Sequence, residues 1–367
     1  MRHTDVSTLA NGIRIVTEAM PHLESASIGL WFDVGARHEE RDEHGLSHLL
    51  EHMLFKGTAR RSARRIAEEI EDAGGYLNAF TTRDTTTVFA KVLSADLPLA
   101  VDLLADIVQN ASFDAQELDR EREVILQEIG QAMDTPDDIV FDYLQATAFP
   151  DQPLGRSILG TEETVSAFTR QSLVDYRARH YCGRNLVVAA AGDVSHADIV
   201  ARIEEAFAGL EAGVSAGFAP ARYRGGEHRD GRETEQLHLT LAFPGTAFDD
   251  PDYYAMQVFA TMLGGGMSSR LFQTVREDRG LAYSIYSFPE SHRDAGLLGV
   301  YAGTAPGIAD ELVDLIAHEL KILGESAEQA EIDRARAQLK AGLLMSLESS
   351  SARVEQLGRQ MLIFGRP

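Results

Sequence analysis

The sequence predicts an α+β protein of two homologous domains, each a mostly antiparallel or mixed β-sheet covered by helices. Three observations carry this expectation. Strand-like segments come in hairpins set between helices, not in strict strand–helix alternation. The order of elements in the first half recurs in the second. The chain, at 367 residues, exceeds one small core and suits two domains.

Element by element, Val6 to Leu9 and Ile13 to Thr17 flank Asn11-Gly12, a dipeptide that favours a tight hairpin. Strand-like alternation follows from Ser25 to Gly35, then helical periods over Gly45 to Phe55 and Ser62 to Ala73. Gly74-Gly75 turns into a β run from Tyr76 that returns over Thr85 to Lys91. Two long helices are expected over Asp96 to Ala111 and Asp114 to Met133, and further helices over Ile139 to Ala148, Thr164 to His180 and His196 to Ala208. Asn185 to Ala191 reads as a strand. Residues 211–234 carry no period and are rich in Gly, Ala and Arg, as a linker would be.

The second half answers the first. His238 to Phe243 matches Ile28 to Phe32, and Asp252 to Leu263 matches the helix from Gly45. Arg276 to Phe288 with Gly296 to Tyr301 matches the hairpin after Gly75, and helices over Pro306 to Leu323 and Ala327 to Leu347 match the long pair. The expected division is a catalytic domain over 1–210, a linker over 211–234 and a pseudo-repeat over 235–367. Helices are expected on one face of each sheet.

Composition narrows the partners. The net charge of -23 repels nucleic acid and anionic lipid, and otherwise serves solubility. No apolar run reaches the roughly 18 residues of a membrane span, and the N-terminus has no apolar signal core. The cytoplasm, or the mitochondrial matrix, is the expected compartment. Cys182 is the only cysteine, so there is no internal disulfide and no cysteine metal cluster.

The chemistry concentrates in His48-Leu49-Leu50-Glu51-His52. Residues four apart on a helix share a face, so His48 and His52 present two imidazoles to one tetrahedral zinc. Glu51 falls beside that ion and is placed to take a proton from a zinc-bound water. The spacing is the inverted H-x-x-E-H motif. His22, His38 and His44 have no partner at ligand spacing and read as loop or surface residues. A catalytic zinc needs a third protein ligand. The stretch from Leu118 offers Glu121, Glu123 and Glu128; the first and last share a face two turns apart, and spacing alone does not choose among them. In the second half, Tyr254, Met256 and Phe259 stand where the first half has its histidines.

The runs GLSHLLEHMLFKGT, GGYLNAFTTRDTT, EREVILQEI and LGGGMSSRLFQTVREDRGLAYSIYS, in this order, resemble the pitrilysin (M16) peptidase family. The resemblance is to its half-length branch of bacterial processing proteases and the mitochondrial processing peptidase β subunit. It implies one zinc per chain, with Glu128 as the third ligand and Glu121 supporting the site by hydrogen bonding. It implies that Asn78, Ala79 and Phe80 form an edge strand to which substrate peptide adds. It implies that Arg276 and Tyr283 bind substrate backbone and stabilise the oxyanion. Short members dimerise, so a homodimer, or a heterodimer with a paralogous subunit, is expected to enclose peptide substrate. Relatives continue beyond Arg366-Pro367 through a further helix and strand, so the second domain reads as shortened. The expected activity is a zinc endopeptidase using Glu51 as base. The rival is a non-catalytic peptide-binding or scaffold subunit of the same family; a metal-dependent hydrolase of other substrates is a distant third. Gly264-Gly265-Gly266 lacks the Gly-Lys-Ser/Thr of a phosphate loop and reads as a flexible turn.

Overall fold

A computed structural model describes residues 4–367. In chain order the elements are β1 (Thr4–Thr8), β2 (Arg14–Ala19), β3 (Ser25–Phe32), α1 (Leu46–Leu54), α2 (Ala63–Asp72), β4 (Tyr76–Thr81), β5 (Thr86–Leu93), α3 (Leu97–Asn110) and α4 (Ala115–Asp134). There follow α5 (Pro136–Ala148), α6 (Glu162–Ala167), α7 (Arg170–His180), β6 (Leu186–Gly192), α8 (His196–Ala206), β7 (Leu237–Pro244) and α9 (Tyr253–Gly264). The chain ends with β8 (Ala282–Ser291), β9 (Gly296–Thr304), α10 (Ala309–Glu325), α11 (Gln329–Ser346) and α12 (Ser350–Phe364). The α+β class expected from sequence is the class observed.

Two compact units form, and they do not follow the linear division expected at 210 and 234. One takes the chain up to Gly130, Arg156–Ala219 and Ser346–Pro367; the other takes Gln131–Gly155 and Pro220–Met345. Thus α5, from the first half of the sequence, belongs to the second unit, and α12, the last helix, belongs to the first. A boundary drawn along the chain cannot express an exchange of helices, which is why the expected division differs.

In the first unit six strands run in the order β1-β2-β6-β3-β5-β4. All pairings are antiparallel except β2 with β6. The side-chain period of two sorts this sheet into two cores. Ile28, Leu30 and Phe32 of β3 and Val188 and Ala190 of β6 face the core shared with α1 and α3. Trp31, Val187, Ala189 and Ala191 face the other way, against Val354, Leu357 and Met361 of α12. Both faces are therefore covered, correcting the expectation of one, and this explains why β6 reads as an unbroken apolar run. Gly358 makes the packing of α12 possible: a Cβ there would lie 2.4 Å from the Trp31 ring.

In the second unit a three-stranded antiparallel sheet, β7-β9-β8, matches β3-β5-β4. Its core gathers Leu263, Val300, Ala302, Leu312 and Ile316, and α5 adds Leu144 and Ala148 to a cluster with Ala221 and Leu297. Two local expectations need correction. Arg276 lies in a π-helical turn over Phe272–Asp278 and not at the start of a strand. Thr164 to His180 is two helices, because Thr169 caps a fresh start by accepting from the Ser172 amide. Residues 211–234 carry no helix or strand.

Candidate metal centre

The apolar pattern of α1 aims its polar side chains. Leu46, Leu49, Leu50, Met53 and Leu54 are all but fully buried, so the remaining stripe of His48, Glu51 and His52 is turned together away from the core. The facing helix obeys the same logic. Leu118, Glu121 and Ile125 form the buried stripe of α4, and Glu128 continues it three residues on. Glu123 is exposed, off that stripe, so the ambiguity among the three glutamates ends with the docking of the helix.

Glu128 Oε2 lies 3.8 Å from His48 Nε2 and 3.9 Å from His52 Nε2. The three donor atoms fall within 4.8 Å of one another. Ligands about 2.0–2.1 Å from a tetrahedral ion stand roughly 3.4 Å apart, so the two carboxylate–imidazole separations are about half an ångström wide of that spacing and the side chains would draw together around a bound ion. Two imidazoles and a carboxylate match the donor preference of zinc at a catalytic site.

The surroundings fix the ligands' state. His52 Nδ1 is 3.1 Å from Glu121 Oε2, which reserves Nε2 for the metal side. Glu121, itself buried, is 2.5 Å from Lys56 Nζ through its other oxygen. Lys56 escaped the sequence reading, although its spacing of four from His52 was the available signal. Burial, with a smaller effect from the His52 ring, pushes the His48 imidazole down to about 4, so it stands neutral and ready to donate its lone pair. His48 Nδ1 is buried and has no hydrogen-bond partner among the described residues. Glu51 has its carboxyl raised, chiefly by burial, with hydrogen bonding from Thr81 of β4 pulling the other way. A carboxylate held above its ordinary range is a better proton acceptor near neutral pH.

The remaining candidates lie elsewhere. Asn78, Ala79 and Phe80 sit on β4, which among the described residues pairs only with β5, on one of its two edges. Asn78 donates to the Tyr76 hydroxyl at 2.6 Å. In the second unit the Arg276 guanidinium lies 4.9 Å from the centre of the Tyr283 ring and 4.8 Å from that of Phe272. Tyr283 is 76% exposed. The structure brings this pair together within its own unit.

Two family models cover the chain in sequence: Insulinase (Peptidase family M16) matches residues 14–162, and Peptidase M16 inactive domain matches residues 167–339. A Rickettsia bellii protein named an uncharacterized zinc protease is 40% identical over 363 residues, spanning 99% of this chain and 88% of that protein. The chain belongs to peptidase family M16. A zinc protease of Streptomyces coelicolor, also called uncharacterized, is 42% identical, covering 98% of this chain and 80% of its own. A probable mitochondrial-processing peptidase subunit beta of Arabidopsis thaliana is 40% identical, over 99% of this chain and 71% of that one. The fold agrees with a crystal structure of a Helicobacter pylori protease, with a TM-score of 0.91 at 24% identity and coverage of 99% and 90%. Several of these relatives are named zinc proteases, and among the described residues His48, His52 and Glu128 form a group able to hold a metal ion. No helix among the described residues is long and apolar enough to cross a membrane.

Proposed function

We propose that this M16 protein is a zinc endopeptidase, hydrolysing peptides or unfolded polypeptide segments enclosed by two chains. The observation that carries the reading is the single helical turn that sets His48 and His52 facing Glu128 with Glu51 between them in sequence. His48, His52 and Glu128 would hold the ion, and Glu121, paired with Lys56, would orient His52. When bound, zinc supplies Lewis acidity, lowering the pKa of water to about 7 and polarising a carbonyl.

The chain's own residues do the rest. Substrate pairs its backbone along the edge of β4 away from β5, at Asn78, Ala79 and Phe80, which gives affinity tolerant of sequence. Glu51 accepts the proton of the attacking water and returns it to the departing amine. Its burial favours the first transfer, and the acid so formed supplies the second. Arg276 and Tyr283 of the second chain donate hydrogen bonds to the substrate backbone and to the oxyanion. The rival scaffold reading predicts an intact fold without hydrolysis; the presence of all four of His48, Glu51, His52 and Glu128 favours the peptidase.

The test uses two variants, Glu51→Gln and Tyr283→Phe, each purified alone and assayed on an unstructured peptide. Each alone is expected to be inactive, and mixing with subunit exchange to restore part of the activity, because one complete site forms per mixed pair. Full activity in Tyr283→Phe alone removes the shared site. Absence of hydrolysis by the zinc-loaded wild type on a broad peptide set favours the scaffold.

A further inference from the structure

The connection from β3 to α1 holds a buried carboxylate that the proposed reaction does not use. Glu39 is 3% exposed, and its two oxygens accept from the Gly45 amide at 2.9 Å and the Ser47 amide at 2.7 Å. These are the N-cap and second helical residues of α1. The first N–H groups of a helix have no partner within it, and Gly45 has no side chain to offer one. Glu39 supplies the cap from six residues upstream. A negative charge there also suits the positive end of the helix dipole.

A second layer grips the same turn. Arg156 donates to the carbonyls of Glu39 and Glu40. His44 Nε2 lies 2.7 Å from the Ser157 carbonyl, and the Thr164 hydroxyl donates to the His44 carbonyl at 2.7 Å. Gly45 has φ +96° and is packed so closely that a Cβ would stand 2.7 Å from the Leu159 carbonyl. The Ser47 hydroxyl meets the Tyr176 hydroxyl at 2.7 Å.

We infer that Glu39 is a positioning residue for the metal centre: it fixes the first turn of α1 and thereby the stance of His48 toward His52 and Glu128. His48 is the residue directly after the clamped Ser47 amide. The rest of α1 is held without this cap, because Leu49, Leu50, Met53 and Leu54 are fully buried in the core. Losing the cap therefore loosens the ligand-bearing turn more than it unfolds the helix. This inference rests on the metal site used in the proposed peptidase reading, not on hydrolysis itself.

The experiment is Glu39→Gln, which keeps the shape but turns one acceptor into a donor facing an amide. Zinc affinity of the purified chain is measured by competition with a chromophoric chelator, alongside thermal unfolding of the zinc-free form. Affinity is expected to fall about tenfold, as for other groups that orient ligands, while the zinc-free Tm stays within a few degrees. Peptide cleavage should fail at limiting zinc and return to within about twofold at saturating zinc, with KM unchanged. Wild-type zinc affinity in folded Glu39→Gln overturns the inference. If that variant does not fold, Thr164→Val removes one bond of the same clamp; a threefold weakening supports the inference and no change overturns it. A wild type that binds zinc without cleaving peptide removes the peptidase reading, and the affinity comparison still decides this one.

Discussion

The two units use the same hairpin and the same pair of long helices, yet among the described residues only one gathers side chains able to hold a metal ion. In the first, α4 buries Glu121 beside His52 and presents Glu128 to both histidines. In the second, α11 buries only Ala335, and α9 carries Tyr254, Met256 and Phe259. Both fold around apolar residues of the same kind, Ile28, Leu30 and Phe32 in one and Val300, Ala302 and Ile316 in the other. The lesson is that the scaffold needs none of the metal chemistry: burying apolar stripes makes the fold, and a few polar side chains riding on those stripes make the site.

The comparison breaks first at the ligands. His52→Ala should strip the chain of zinc and of cleavage, whereas Met256→Ala on the corresponding helix should leave zinc content unchanged; elemental analysis of both decides. Next comes the helix that closes the first unit. Leu357 is fully buried against the outer face of its sheet, so Leu357→Ala should cost about 2–5 kcal/mol in urea unfolding, with the zinc ligands untouched. Glu121→Gln should then weaken zinc by about 10–100-fold, read by chelator competition.

A smaller effect is titratable. Burial pushes His38 and His180 down to about 4, from an ordinary value near 6.5. Because the folded value is depressed, the stability they contribute is complete above about pH 6.5 and is lost as pH falls toward 4. Glu39, raised by burial to about 7, works in the opposite sense, gaining as pH drops below 7. His48, likewise pushed down to about 4, adds a third depressed imidazole against Glu39 and the raised Glu51, so the urea midpoint of the zinc-free first unit should decline between pH 6.5 and 4, and His180→Gln should flatten that decline. The least effect belongs to Arg64→Ala, which removes an exposed pair with Glu68 and should change stability by no more than about 0.5 kcal/mol.

Much of this was legible in the sequence, for physical reasons that also mark its limit. The hairpin around Asn11-Gly12 and the helical spacing of His48 and His52 are local, and β1, β2 and α1 stand where those signals put them. The choice of Glu128 over Glu123 was not local: it depends on which stripe of α4 docks, and Leu118 and Ile125 decide that only once a core exists to receive them. Lys56 and Glu39 went unnoticed because their partners, Glu121 and the amides of α1, are set by tertiary packing and turn geometry. The helix α12 lay beyond the last period read at Leu347, and its place on the first unit's sheet depends on Gly358 meeting Trp31, two residues more than three hundred positions apart. The unbroken apolar run of β6 carried the signal of a strand covered on both faces, but the expectation drawn from the sequence placed helices on one face alone.

The central claim is that one turn of α1 and one stripe of α4 together hold a zinc ion beside a general base. Zinc per chain and peptide cleavage, measured together on wild type and Glu51→Gln, test it most directly. The account predicts one zinc in each and a loss of cleavage of about 10²–10⁴-fold in the variant, the range of a lost general base. A wild type that cleaves peptide without bound zinc, or a Glu51→Gln chain that cleaves at the wild-type rate, would contradict it.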